Sequence, residues 1–124
     1  NKKHIIRAAL ESIVYQVNDL LDCIKKDTNK PLKRLNVDGG AAKNDFLLQF
    51  QADISNIKII RPTNIESTAL GAGILAGIKN GFWDSRDRPF KYKKIDKQYS
   101  PKMKNSKRKE LIDGWKLSID NINK

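Results

Sequence analysis

The residues with the clearest chemical potential in this sequence are Asp38, Gly39, Gly40, Ala41 and Asn44, which follow a short apolar run. Glycine lacks a Cβ and tolerates positive φ, so a ligand can closely approach a turn that contains it. Backbone N–H groups at the start of a helix favour polar or anionic ligand groups. An apolar run, a turn and then a helical pattern therefore predict a nucleotide site.

Simpler interpretations exist for the same kinds of residue. The two glycines also fit an ordinary strand-to-helix turn. Asp38 has the chemistry of a metal ligand or an acid–base group, but we favour an Asx-type turn residue that accepts hydrogen bonds from nearby N–H groups. The sequence has one His and one Cys, which are too few for a zinc site. His4 has no sequence partner for catalysis, and we expect it to be exposed.

Apolar periodicity predicts four helices and two short strands around this turn. The predicted elements are a helix over 2–27, a strand over 35–37, a helix from 42 or 43 to 54, a strand over 57–60, a helix over 66–80 and a final helix over 106–123, with a basic irregular segment over 84–105. This order favours an α/β unit. Two strands are too few for a stable sheet, so we expect the chain to complete a sheet whose other strands it lacks.

The third and final helices carry local signals of their ends and packing. Thr63 has capping-box spacing to Glu66, and Gly81 is placed to end the third helix as a left-handed cap. Both tryptophans, Trp83 and Trp115, are expected to be core or interface anchors.

Composition excludes several classes of protein. No apolar run approaches the roughly 18 residues of a membrane span. The single Cys23 fits a reducing cytosol, and its place in a helical pattern favours a small core residue.

The net charge of +11 is uneven, since residues 79–124 hold 14 of the 25 Lys and Arg but 6 of the 14 Asp and Glu. The basic segment 86–109 fits a nucleic-acid surface, but scattered lysines without an RNA-binding signature favour a solvated tail.

Several motifs together resemble one family. Residues 37–54 resemble the adenosine-side motif of the FGGY carbohydrate kinases, which have an actin-like ATPase fold. Within that family the Phe46-Leu47-x-Gln49-Phe50-Gln51 portion is more similar to glycerol kinases than to xylulose or gluconate kinases. The match continues in the same order through Arg61-Pro62, Glu66-Ser67-Thr68-Ala69-Leu70-Gly71-Ala72, Leu75-Ala76-Gly77, Gly81-Phe82-Trp83 and Gly114-Trp115-Lys116, and it begins at His4-Ile5-Ile6-Arg7-Ala8-Ala9-Leu10-Glu11.

The resemblance implies an α/β fold: residues 1–124 are part of the C-terminal actin-like, ribonuclease H-like ATPase domain, with an incomplete sheet flanked by helices. It implies a cytoplasmic kinase that uses ATP to convert glycerol into glycerol 3-phosphate. Gly39 and Gly40 would let the backbone approach the nucleotide, and Ala41 would leave room for the base. Asn44 would present its side-chain amide to the adenine edge.

The same resemblance implies that much of the machinery lies elsewhere. The catalytic base, the phosphate-gripping loops and the glycerol pocket would belong to an N-terminal part, so no catalytic or metal-ligating residue is predicted here. Magnesium would be bound mainly through the nucleotide and residues outside this chain. The predicted partners are ATP or ADP, glycerol through the missing part, and a second copy in the full-length enzyme. The chain lacks an initiator methionine, and we expect it to be a cut piece or a processed product. Without the catalytic base and the glycerol pocket, we expect it to be inactive alone.

Three alternatives stay open at this point. The chain resembles other FGGY sugar kinases enough to belong to one of them. A stand-alone basic module that binds nucleic acid predicts binding that falls steeply with salt. A truncated relic that folds poorly predicts exposed hydrophobic surface on the face that should meet the missing strands.

Overall fold

The computed structural model describes residues 1–82 and 94–122. No helix in these two ranges is long and apolar enough to cross a membrane. The elements in chain order are α1 (Lys2–Thr28), β1 (Arg34–Asn36), a 3-10 helix (Gly40–Lys43), α2 (Asp45–Ser55), β2 (Lys58–Pro62), α3 (Ser67–Lys79), β3 (Ile95–Tyr99) and α4 (Asn105–Ile122).

The three described strands form one mixed sheet in the order β1-β2-β3. β1 and β2 are parallel, with Leu35 opposite Ile59. β2 and β3 are antiparallel, with Ile59 opposite Tyr99. A parallel pair needs a crossover connection, and the 3-10 helix and α2 supply it. The turn that leaves β1 therefore lies at the same edge of the sheet as the carboxyl end of β2.

One face of the sheet packs against α1 and α2. Side chains alternate between the two faces of a strand, so Ile59 is fully buried while the next residue, Ile60, is half-buried. Residues from the sheet, the helices and their connections form this first core cluster: Leu21, Ala42, Leu48, Ala52, Ile57, Ile59 and Tyr99.

A second core cluster joins α1, α2 and α4. Tyr15 stacks on Trp115 with ring centroids 5.2 Å apart and meets Phe50 edge-on at 5.7 Å. The Trp115 indole N–H also donates to an Asp19 carboxylate oxygen at 2.8 Å. Trp115 is therefore a core anchor, as predicted, while Trp83 lies outside the described residues.

The structure differs from the sequence prediction in the segment 84–105. Ile95–Tyr99 forms β3, so the prediction of an irregular segment is wrong for these residues. Four of the five residues are exposed, and the strand therefore lacks the apolar run or alternation that marks a strand in sequence. Its pairing with β2 defines it instead.

The first helix is more exposed than its apolar stripe predicts. Cys23 is exposed, so the prediction of a core residue is wrong. Cys23 is nine residues from the fully buried Val14, which is about two and a half helical turns and places it on the opposite side. Ile6 and Leu20 are 62% and 61% exposed. His4, at the amino end, is exposed as predicted.

The two ends of α3 differ in how well the sequence predicts them. Gly81 has φ +71°, and the N–H groups of Gly81 and Phe82 donate to carbonyls of the last turn at 3.1 and 2.7 Å. This is the predicted left-handed cap, in a Schellman arrangement. The predicted capping box is wrong, because Glu66 is the N-cap itself and makes no side-chain capping bond. The Glu66 backbone N–H donates to Asn64 Oδ1 at 2.9 Å. Thr63 Oγ1 lies 3.4 Å from the Lys94 carbonyl instead.

Candidate functional site

The glycine turn, residues 39–44, connects β1 to α2. Backbone bonds tie its entrance to the neighbouring elements: Val37 N–H donates to the Ile60 carbonyl at 3.0 Å, and Gly39 N–H donates to the Ile65 carbonyl at 2.8 Å. The turn is therefore anchored both to β2 and to the segment that follows β2. This places it at the carboxyl end of two parallel strands, where open α/β sheets bind ligands.

The two glycines of the turn have different conformations. Gly39 has φ +80° and ψ 176°, a region that is essentially restricted to glycine. Gly40 is exposed, and no heavy atom lies within 4 Å of the position its Cβ would occupy. Gly39 therefore shapes the turn, and Gly40 offers an open stretch of backbone to a ligand.

Asn44 links the turn to α2. The turn closes through bonds from Ala42 N–H to the Gly39 carbonyl and from Asn44 N–H to the Ala41 carbonyl, each 3.1 Å long. Asn44 Oδ1 then accepts the Leu47 N–H at 3.1 Å and caps α2. The cap leaves the side-chain NH₂ group and one Oδ1 lone pair of Asn44 for a ligand. Ala41 is exposed beside it.

A group of ionisable residues next to the glycine turn was not predicted from the sequence. We call it the Arg61 cluster: Asp45, Arg61, Asp96, Lys97 and Tyr99. Arg61 Nη1 donates to the Ala42 carbonyl at 2.9 Å and to Asp45 Oδ1 at 2.8 Å, and its Nε donates to Asp96 Oδ2 at 2.6 Å. Lys97 Nζ and the Tyr99 hydroxyl also donate to the Asp45 carboxylate. The cluster thus joins the turn, α2, β2 and β3.

Electrostatics keep the Arg61 cluster charged. Hydrogen bonds from Lys97, Tyr99 and Arg61 hold the pKa of Asp45 well below its usual range. The carboxylates of Asp96 and Asp45 raise the pKa of Arg61, and Asp45 raises the pKa of Lys97. Burial, and then the hydrogen bond to Asp45, raise the pKa of the Tyr99 hydroxyl. At neutral pH Asp45, Arg61 and Lys97 are therefore ionised within this hydrogen-bonded network, and Tyr99 is a neutral phenol.

Two clefts open on residues beside the glycine turn. One, of about 280 Å³, is lined by Asp38 together with Arg34, Asn36 and Ser67. The other, of about 300 Å³, is lined by Lys43, Arg61 and Asp96. Gly40 and Asn44 line neither of these two clefts. Gly40 and Ala41 are thus exposed, and neither lines one of these clefts.

The acidic residues do not assemble a metal site in the parts of the chain that the structure describes. Over residues 1–82 and 94–122, no group of three or more His, Cys, Asp or Glu side chains could hold a metal ion. Asp38 is exposed and lines the first cleft with Arg34 rather than with another carboxylate.

Residues 1–79 match the C-terminal domain of the FGGY family of carbohydrate kinases. The chain is 50% identical over 119 residues to the glycerol kinase of Shewanella pealeana and 50% identical over 122 residues to that of Clostridium botulinum. The alignments cover 96% and 98% of this chain but 24% of each relative. The chain thus spans about a quarter of the length of these curated relatives.

Solved structures of similar proteins extend the likeness through β3 and α4. A crystal structure of Plasmodium falciparum glycerol kinase with ADP superposes with a TM-score of 0.81 at 36% identity, over 98% of this chain and 24% of that one. A ligand-bound xylulose kinase from Lactobacillus acidophilus gives a TM-score of 0.75 at 28% identity, over 98% of this chain and 25% of that one.

Proposed function

Because the chain belongs to the FGGY family of carbohydrate kinases, we propose that it supplies part of the adenosine site of an ATP-dependent glycerol kinase. The observation that carries the proposal is the glycine turn, with its open Gly40 backbone and the half-buried Asn44 amide at the carboxyl end of β1. In the structural comparison the identity is 36% to a glycerol kinase and 28% to a xylulose kinase, and identities of 50% to curated glycerol kinases agree with it, which supports glycerol as the acceptor.

In this proposal the chain binds and orients the nucleotide. The Gly40 backbone lies against the adenosine, and Ala41 leaves space for the base. The Asn44 NH₂ group donates to an acceptor on the adenine edge, while Oδ1 keeps its bond to Leu47 N–H. Phosphoryl transfer depends mainly on positioning and charge stabilisation, and this chain contributes to the positioning.

ATP supplies the phosphoryl group when it is bound, and the described residues fit only its adenosine end. They offer no acidic cluster for magnesium, so we assign the ion to the nucleotide phosphates and to residues outside this chain. We also assign the catalytic base and the glycerol pocket outside it. The purified 124-residue chain is therefore expected to show no glycerol phosphorylation with MgATP, and measurable turnover above a protein-free blank would contradict this assignment.

Asn44→Ser tests the adenosine site. Serine caps a helix as well as asparagine does, so the variant keeps α2 capped while it removes the side-chain NH₂ group. Loss of one such hydrogen bond predicts a roughly two- to twelvefold weaker ADP affinity. ¹⁵N-NMR titration of the chain with ADP measures both the affinity and the location of binding.

Gln16→Ala is the matched control, since it removes an exposed amide from α1. We expect ADP to shift the amide signals of Gly39, Gly40, Ala41 and Asn44 in the wild-type chain and in this control. Shifts confined to other residues, or equal affinities for Asn44→Ser and the wild type, would remove the support for the adenosine site.

A chimera tests the kinase assignment itself. The chain would replace the matching C-terminal quarter of the Clostridium botulinum glycerol kinase, to which it is 50% identical. We expect an active enzyme in which Asn44→Ser raises the KM for ATP more than the KM for glycerol. A folded chimera in which the KM for glycerol responds more strongly would place Asn44 near the acceptor instead.

A further inference from the structure

The geometry points to Arg61 as a positioning residue for nucleotide binding, an inference that rests on the proposed function. Arg61 lies on β2, yet its Nη1 reaches the Ala42 carbonyl at 2.9 Å in the middle of the glycine turn. No backbone–backbone hydrogen bond joins β2 to residues 40–44. We infer that this side chain fixes the turn in the conformation that presents Gly40 and Asn44.

The Ala42 carbonyl needs such a partner. The Ala42 residue is 2% exposed, and buried backbone carbonyls are almost always hydrogen-bonded. A short 3-10 helix leaves its last carbonyls without partners inside the helix. The Arg61 side chain, which is 14% exposed, donates to this carbonyl from the sheet.

The charges around Arg61 define its role further. Its Nε is bound to Asp96 and its Nη1 to Asp45, at 2.6 and 2.8 Å. Two carboxylates therefore neutralise the guanidinium, which makes it a poor anion ligand and a good structural bridge. The planar fork of arginine suits this geometry, because it holds several acceptors at fixed angles.

The bridge acts on the ligand through the turn. Gly39 is held by the Ile65 carbonyl and Asn44 by its cap on Leu47, so Arg61 supplies the contact between those two anchors. A turn that is ordered before binding loses less conformational entropy when the nucleotide binds. Loss of the Arg61 contact should therefore weaken nucleotide binding even though Arg61 does not touch the nucleotide.

Amide hydrogen exchange in the ¹⁵N-labelled chain tests this role without a ligand. In Arg61→Met we expect the Ala42 and Asn44 amides to exchange roughly two- to twelvefold faster, the range that follows from losing one hydrogen bond. The Val37 amide, which bonds the Ile60 carbonyl in the sheet, should keep its wild-type rate. Lys58→Met, which removes an exposed cation from the other end of β2, is the control and should leave the turn unchanged.

Arg61→Lys covers the case in which Arg61→Met fails to fold. Lysine keeps a positive charge between the carboxylates but lacks the fork that also reaches Ala42. We expect faster exchange at Ala42 and Asn44 in this variant too. Wild-type exchange there, or acceleration spread evenly over the sheet and the turn, would overturn the inference.

ADP titration of the same proteins completes the test. We expect Arg61→Lys to bind ADP several-fold more weakly than the wild type and Lys58→Met to bind it equally well. If the wild type binds ADP and Arg61→Lys binds it with the same affinity, the role of Arg61 is overturned while the proposed function stands. Absence of any ADP-dependent shift in the wild-type turn overturns the proposed function, and this inference falls with it.

Discussion

At the scale of single residues, the two glycines of the turn have separate physical roles. Gly39 has φ +80° and ψ 176°, and a side chain in that region costs about 1–3 kcal/mol. Gly39→Ala should therefore lower the free energy of unfolding by about that amount. Gly40 lacks positive φ and has open space around it, so Gly40→Ala is the matched control and should leave stability unchanged or slightly higher. Urea denaturation measures both, and equal effects would contradict the distinction.

Asp45 makes stability depend on acid. Its folded-state pKa lies well below the unfolded value because Lys97, Tyr99 and Arg61 donate to it. A group of this kind contributes stability that is fully present above its unfolded pKa, about 4, and that is lost as the pH falls further through the folded pKa. Asp45→Asn should therefore be less stable than the wild type at pH 7.

The same variant should lose less stability than the wild type between about pH 4 and pH 2. Denaturant unfolding at several pH values, with the exposed Asp113→Asn as control, measures the difference. Parallel pH profiles for the wild type and Asp45→Asn would show that the Arg61 cluster contributes nothing to acid stability.

At the scale of elements, Asp53 connects α2 to the segment that precedes α4. Its Oδ1 accepts the N–H groups of Lys102 and Met103 at 2.6 and 3.1 Å. Hydrogen bonds to a charged group contribute about 1.5–3 kcal/mol, so Asp53→Ala should destabilise the chain by about that amount while Asp53→Asn, which keeps an acceptor, should lose less. The Trp115 indole signal reports whether α4 stays docked. Unchanged stability in Asp53→Ala would mean that the aromatic contacts alone hold α4.

The elements also show how far the sequence determines the fold. The helical periodicity predicts α1 within a residue at its end, because local spacing encodes an amphipathic helix. α2 begins at Asp45 rather than at 42 or 43, since a 3-10 helix precedes it. β3 could not be predicted from its exposed residues, because only the edge of β2 makes it a strand.

The candidate site, like the fold, could be predicted from the sequence only in part. The predicted resemblance to FGGY kinases is confirmed by the match of residues 1–79, and local signals located the glycines and Asn44. The nucleotide role of those residues stays a prediction. Arg61 follows the strand predicted over 57–60, and nothing in the sequence linked it to Asp45. Their pairing depends on the packing of α2, β2 and β3, which no local pattern encodes.

At the scale of the whole molecule, several large apolar side chains are exposed among the described residues. Ile5 is 72% exposed, Ile6 62% and Leu75 69%, and the outer face of the sheet carries the half-buried Ile60. Exposed apolar patches of a soluble chain mark interaction surfaces or aggregation liabilities. The longer curated relatives, of which this chain spans 24%, have further residues that are available to cover such faces.

The exposed apolar side chains predict self-association of the 124-residue chain. We expect concentration-dependent sedimentation and enhanced fluorescence of a hydrophobic dye, because dimer contacts bury surface worth roughly 25 cal/mol per Å². The double variant Ile5→Gln, Ile6→Gln keeps good helix formers in α1 and should reduce both signals without lowering the unfolding temperature. Lys2→Gln, Lys3→Gln, which changes charge in the same turn of the helix, is the control. The prediction would be wrong if the wild-type chain stayed monomeric at all concentrations and did not enhance the dye fluorescence. These side chains would then be too dispersed to form an interaction surface.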